Sequence, residues 1–202
     1  NAFSSLAEAP RPSFATCNYR VTSRRYRQPL LRYSTQAMQN TQGSRREAMV
    51  AQLSPAARHG TGPLAGLMRD GALHCVFQPL ADLREGSVYA HEALIRGPHG
   101  SLLHAPDALL AQARTEGVLQ DFELFCVFTA LVQWSAQATP GRLFVNISAD
   151  ALVHGVGMVG MAKLGEAVRR CGLNARMLVL EITEHERVTN MPLLREAIDA
   201  VH

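Results

Sequence analysis

Two short apolar runs, RLFVNIS (142–148) and RMLVLEIT (176–183), constrain the fold more than any other feature of the chain. Each is bounded by turn residues and is short for a helix, so each reads as a strand buried on both faces. Around them the apolar residues change to helical spacing. PDALLAQARTEG (106–117) is helical up to Gly117, QDFELFCVFTALVQWSAQA (120–138) is a long buried helix stopped before Pro140 and Gly141, and MAKLGEAVRRCG (161–172) is helical again. MPLLREAIDAV (191–201) starts a further helix, with Asn190 as its cap and Pro192 in its first turn. Upstream, TGPLAGLMRD reads as a short amphipathic helix with Thr61 as N-cap. HCVFQPL (74–80) and SVYAHEALIR (87–96) read as a hairpin joined through ADLREG, whose Asp82 and Gly86 supply turn chemistry. Apolar strands alternating with helices imply a parallel sheet covered on both faces. A doubly wound sheet and a (β/α)8 barrel both satisfy this α/β pattern, and both gather ligands at the carboxyl ends of their strands.

Composition narrows the function classes. No stretch approaches the ~18 consecutive apolar residues of a membrane helix, and the first residues lack the pattern of a secretory signal. A cytoplasmic setting is the expectation. Cys17, Cys75, Cys126 and Cys171 lie far apart with no CxxC spacing, which suits reduced, buried thiols better than zinc ligands or disulfides. Charge is unevenly spread. Residues 1–60 hold nine arginines against Glu8 and Glu47, a balance of +7, leaving −4 for the rest of a chain whose net charge is +3. The Arg-rich segment 1–60 reads as a disordered leader, because it offers little to bury. A nucleic-acid tail is the competing reading, but no metal spacing or aromatic interleaving supports it, and no nucleic-acid partner is expected.

Polar side chains fall where the strand runs carry ligands. Glu92 lies inside AHEALIR with Arg96 four residues on, Asn146 follows LFV, and Glu181 follows LVL. Residues spaced by four on a strand share a face, so Glu92 and Arg96 point the same way. Two carboxylates and an amide oxygen are hard donors suited to Mg2+, Mn2+ or Ca2+, and a divalent cation would relieve their repulsion. Three separate alternatives stand beside this: Glu92 pairs with Arg96, Asn146 caps the next helix, and Glu181 meets some other base.

FQPLADL…GSVYAHEALIRG, followed by VNIS and EITE in that order, resembles the EAL family of cyclic di-GMP phosphodiesterases. The family takes its name from the tripeptide present here as Glu92, Ala93 and Leu94. The resemblance runs from residue 74 to about 202, in a domain expected to span 61–202, and implies a TIM-type barrel whose first strand runs antiparallel to the others. It implies that Glu92, Asn146 and Glu181 bind Mg2+ or Mn2+, and that Glu92 is catalytic. By the same resemblance Glu184 helps hold an active-site loop, Arg96 grips a phosphate, and Gln78, Leu94 and Asp121 line the nucleotide site. The implied reaction is metal-assisted hydrolysis of one phosphodiester bond of cyclic di-GMP, giving linear pGpG. A catalytically inactive receptor for the same ligand is the alternative.

The family pattern continues, after one more helix, with an Asp-Asp-Phe-Gly step, then a lysine, a glutamate and a glutamine. The sequence stops at His202 before these and does not open on methionine. It therefore reads as a piece holding the first three or four of eight barrel units, a partial barrel not expected to be active by itself. RGPHGSLLHAP departs from the commoner RW-plus-HP version of the family. It resembles a subgroup followed by further signalling domains, which, with a homodimer, are the partners expected beside cyclic di-GMP.

Overall fold

A computed structural model of the protein describes residues 60–137, 141–183, 188 and 190–201. The Arg-rich leader, apart from Gly60, and Glu184 lie outside the described residues. In chain order the elements are α1 (Pro63–Arg69), β1 (His74–Asp82), β2 (Ser87–Arg96), α2 (Pro106–Thr115), α3 (Leu119–Ser135) and β3 (Arg142–Ser148). They continue with α4 (Ala149–Val159), α5 (Met161–Arg170), a 3-10 turn (Ala175–Met177), β4 (Leu178–Thr183) and α6 (Met191–Val201).

The strands form one sheet in the order β1-β2-β3-β4. β1 and β2 pair antiparallel, because a connection as short as residues 83–86 can only reverse the chain. Asp82 Oδ1 accepts from the backbone N–H of Arg84 and Glu85 at 2.8 and 3.2 Å, and Gly86 takes a φ of 64°. The turn chemistry of ADLREG is therefore as expected. β3 runs parallel to β2, and β4 to β3, since helices carry the chain back between them.

The sheet's two faces differ. Cys75, Phe77, Ala93, Leu143, Val145, Ile147, Leu178 and Leu180 face the helices, where they meet Leu124, Val127, Phe128, Leu131 and Trp134 of α3, Leu152 of α4 and Leu194 of α6. A second apolar cluster joins Leu64 and Met68 of α1, Leu109 and Ala113 of α2, and Phe122 and Phe125 of α3, with Ile95 and Leu103 against it. Among the described residues, every helix that contributes to these cores lies on the same side of the sheet. Helices on one side only exclude the doubly wound alternative and give four strands of a TIM-type barrel, with the opposite face as the barrel's inside.

Two expectations change. Thr61 does not cap α1: Gly62 stands at the cap, and the Glu116 carboxylate accepts from Leu64 N (2.8 Å) and Ala65 N (3.2 Å). A Cβ at Gly62 would lie 2.1 Å from the Glu116 carboxyl carbon, so a side chain there would displace the capping carboxylate. Helix α4 was not anticipated. It follows β3 directly and is capped by Ser148, whose hydroxyl accepts from Ala151 N at 3.2 Å. Asn190 does cap α6, its Oδ1 accepting from Leu193 N at 3.1 Å.

Candidate active site

The inner face carries the polar residues in one row across four strands. Gln78 is the register partner of Glu92, and Asn146 is the partner of Glu181. The row closes between β2 and β3, where Asn146 Nδ2 donates to Glu92 Oε1 at 2.7 Å. Asn146 is therefore not a helix cap, a task that falls to Ser148. Burial raises the Glu181 carboxyl above its ordinary range, and the charge of Glu92 raises it further. Among the described residues, no basic side chain pairs with Glu181.

Glu92 and Arg96 share the inner face, as their spacing requires. They do not pair: Glu92 takes its hydrogen bond from Asn146, and Arg96 Nη1 donates to the Ile95 carbonyl at 2.8 Å. Four strand residues separate them by about 13 Å. Leu94 lies between, opposite Val76 and half-buried. The loop after Arg96 folds back on itself, with Gly97 N donating to the His104 carbonyl (3.0 Å) and His104 Nδ1 2.9 Å from the Gly97 carbonyl. A Cβ at Gly97 would lie 1.8 Å from the Leu103 carbonyl oxygen, which explains the glycine after the arginine.

Asp121 lies in the first turn of α3 and is engaged by a residue that sequence reasoning missed. Its Oδ1 is 3.2 Å from Nε2 of His154 on α4. Glu123, two residues on, was also missed. It accepts from Ser148 N at 2.9 Å and from the Ser148 hydroxyl at 2.6 Å. Both partners follow β3 or end it, so the only sequence signal was the serine of VNIS.

Asn146 is thus bonded to Glu92 and in register with Glu181, and Gln78 is in register with Glu92. Among the described residues no group of three or more His, Cys, Asp or Glu is assembled for a metal; the oxygen atoms the row could offer a cation are those of the Glu92 and Glu181 carboxylates and the Asn146 amide. That set fits a hard cation: the carboxylates repel, and the amide, having given its N–H to Glu92, keeps its oxygen as a donor.

A family model described as the EAL domain matches residues 64–202. An uncharacterized protein of Mycobacterium tuberculosis is 29% identical over 133 residues, 63% of this chain and 21% of the relative. The cyclic di-GMP phosphodiesterase NbdA of Pseudomonas aeruginosa is 25% identical over 126 residues, 61% of this chain and 16% of the relative. The chain therefore matches about a fifth of the length of such curated relatives. Among solved structures, the calcium and cyclic di-GMP complex of Klebsiella pneumoniae BlrP1 aligns with a TM-score of 0.55 at 21% identity, over 64% of this chain and 32% of that one. The manganese complex of the same protein at pH 6 aligns at 0.54 and 23% identity, with the same coverage. No described helix is long and apolar enough to cross a membrane.

Proposed function

The chain belongs to the EAL domain family, and on that premise we propose that it is the N-terminal part of a cyclic di-GMP phosphodiesterase domain, hydrolysing the cyclic dinucleotide to linear pGpG. One observation carries the reading. Glu92, Asn146 and Glu181 converge on the inner face with an Asn146–Glu92 hydrogen bond and no basic partner for Glu181 among the described residues. A protein without use for a cation has no reason to hold two carboxylates in mutual repulsion.

In this reading Glu92, Asn146 and Glu181 would hold Mg2+ or Mn2+, the calcium and manganese of the relatives' complexes being ions of the same hard class. Such a cation supplies Lewis-acid polarisation of a phosphoryl oxygen and a nucleophile at neutral pH. Arg96 offers a planar fork of donors to a phosphate, which orients the diester and holds charge on its oxygens. Gln78 at the same row, Leu94 beside it and Asp121 at the α3 terminus would line the nucleotide, while Glu184 would steady a loop. Further signalling domains and a homodimer are the partners proposed with this role. The cytoplasm is the setting proposed for this role.

The test is turnover by the full-length protein with Mn2+, read as pGpG on a column. Glu92→Ala should lower it by more than about 100-fold, beyond what loss of a supporting group costs, with the unfolding transition retained. Near-normal turnover in the variant would remove the cation-binding role of Glu92. Tight binding of cyclic di-GMP by the parent without cleavage would make the protein a receptor instead.

A further inference from the structure

We propose that Glu123 is a positioning residue that sets Asn146 for cation binding by clamping the end of β3; this rests on the phosphodiesterase reading of the site. The pairing of the strands shows why a clamp is needed. β3 is registered with β2 only as far as Ala93 opposite Val145, whereas its pairing with β4 continues to Ser148 opposite Thr183. Asn146 therefore sits just past the last β2 pair, on the stretch where the ladder holds the strand from β4 alone. Yet its amide must meet Glu92, on β2, at 2.7 Å.

Glu123 supplies the missing constraint from outside the sheet. Its two carboxylate oxygens take the backbone N–H and the hydroxyl of Ser148, at 2.9 and 2.6 Å. The same hydroxyl oxygen accepts from Ala151 N, so one serine ties helix α3, the end of β3 and the start of α4 together. Ser148 is 5% exposed, so water offers little competition for these bonds. The clamp acts two residues from Asn146, on the same strand, and fixes the backbone from which the amide reaches Glu92. A carboxylate suits the task because it accepts two bonds at once. A glutamine in the same place keeps the shape but offers one accepting oxygen.

The experiment measures Mn2+ affinity of the full-length protein by calorimetry, without nucleotide, in a double-mutant cycle. Glu123→Ala should weaken Mn2+ binding by about 10–100-fold, the range seen when a group supporting a ligand is lost. Glu123→Gln should fall between it and the parent, and it decides the matter if the alanine variant does not fold. In the Asn146→Ala background, Glu123→Ala should produce no further loss beyond about twofold, because residues acting through one another are not additive. As a comparison for stability alone, Glu116→Gln, which loosens α1, should leave Mn2+ affinity unchanged. Additive losses in the cycle, or a Glu123→Gln protein with the parent's affinity, would overturn the clamp. A parent that binds Mn2+ but cleaves no cyclic di-GMP would defeat the proposed function alone. A parent that binds no Mn2+ would defeat both.

Discussion

Glu92 takes its hydrogen bond from an amide, and this leaves Arg96, about 13 Å up the strand, without an ion pair among the described residues. A guanidinium so placed can give two parallel N–H bonds to a phosphate, which an ammonium cannot. Arg96→Lys should therefore weaken cyclic di-GMP binding by about tenfold or more, measured by calorimetry with a chelator present to stop turnover. Unchanged affinity would make Arg96 a structural residue. His91 is the other residue with a testable chemistry. Its ring lies against Trp134, with centroids 5.0 Å apart, and its buried Nδ1 has no hydrogen-bond partner. Burial lowers its pKa from 6.5, so the folded protein resists protonation that the unfolded chain accepts. Stability from this source is complete above about 6.5 and declines as the pH falls toward the lower folded value. His91→Phe should reduce the loss of melting temperature between neutral and mildly acidic pH. Fluorescence of Trp134, the one tryptophan of the chain, reports the transition. Identical pH profiles for parent and variant would count against it.

At the scale of elements, the ends of helices show how much is decided at a distance. Asn190 caps α6 from within its own segment, and the sequence displayed it. Helix α1 is instead capped by Glu116, from 52 residues away. Glu116→Ala should cost about 1–3 kcal/mol of stability, since two N–H groups at a helix start lose their acceptors. Thr61→Ala should stay within about 0.5 kcal/mol, as for an exposed side chain outside any cap. Denaturant titration of both variants checks this, and equal effects would return the cap to Thr61. Helix α4 was illegible for a related reason. Gly155 and Gly157 dilute its helical signal. Gly155, however, packs closely on α3: a Cβ there would lie 2.6 Å from Leu124 Cδ2, so that side chain would have to shift.

At the scale of the whole molecule, the described sheet has helices on one face and its site on the other, with β1 and β4 at the edges. Its open face bears Val76, 46% exposed, opposite Leu94. Among the described residues the two edge strands lack an outer partner, and these edges with an exposed apolar side chain on the open face favour association. A protein made of these 202 residues alone should sediment as oligomers at concentrations on the order of tens of micromolar, and Val76→Lys should shift it toward monomer. A parent that sediments as a single monomeric species would refute this.

What the sequence by itself determined was local and periodic. The strands of VNIS and EITE, the hairpin turn at Asp82 and Gly86, the cap at Asn190 and the common face of Glu92 and Arg96 all follow from residue type and a period of two or 3.6. The motif order likewise carried the family and the three cation-binding candidates. Only the tertiary structure decided which face the helices cover, that Asn146 gives its amide to Glu92, that His154 meets Asp121, and that Glu116 and Glu123 hold strands and helices far from them in sequence. These are contacts between segments whose relative placement depends on how the helices pack against the sheet. No property of either partner alone encodes them.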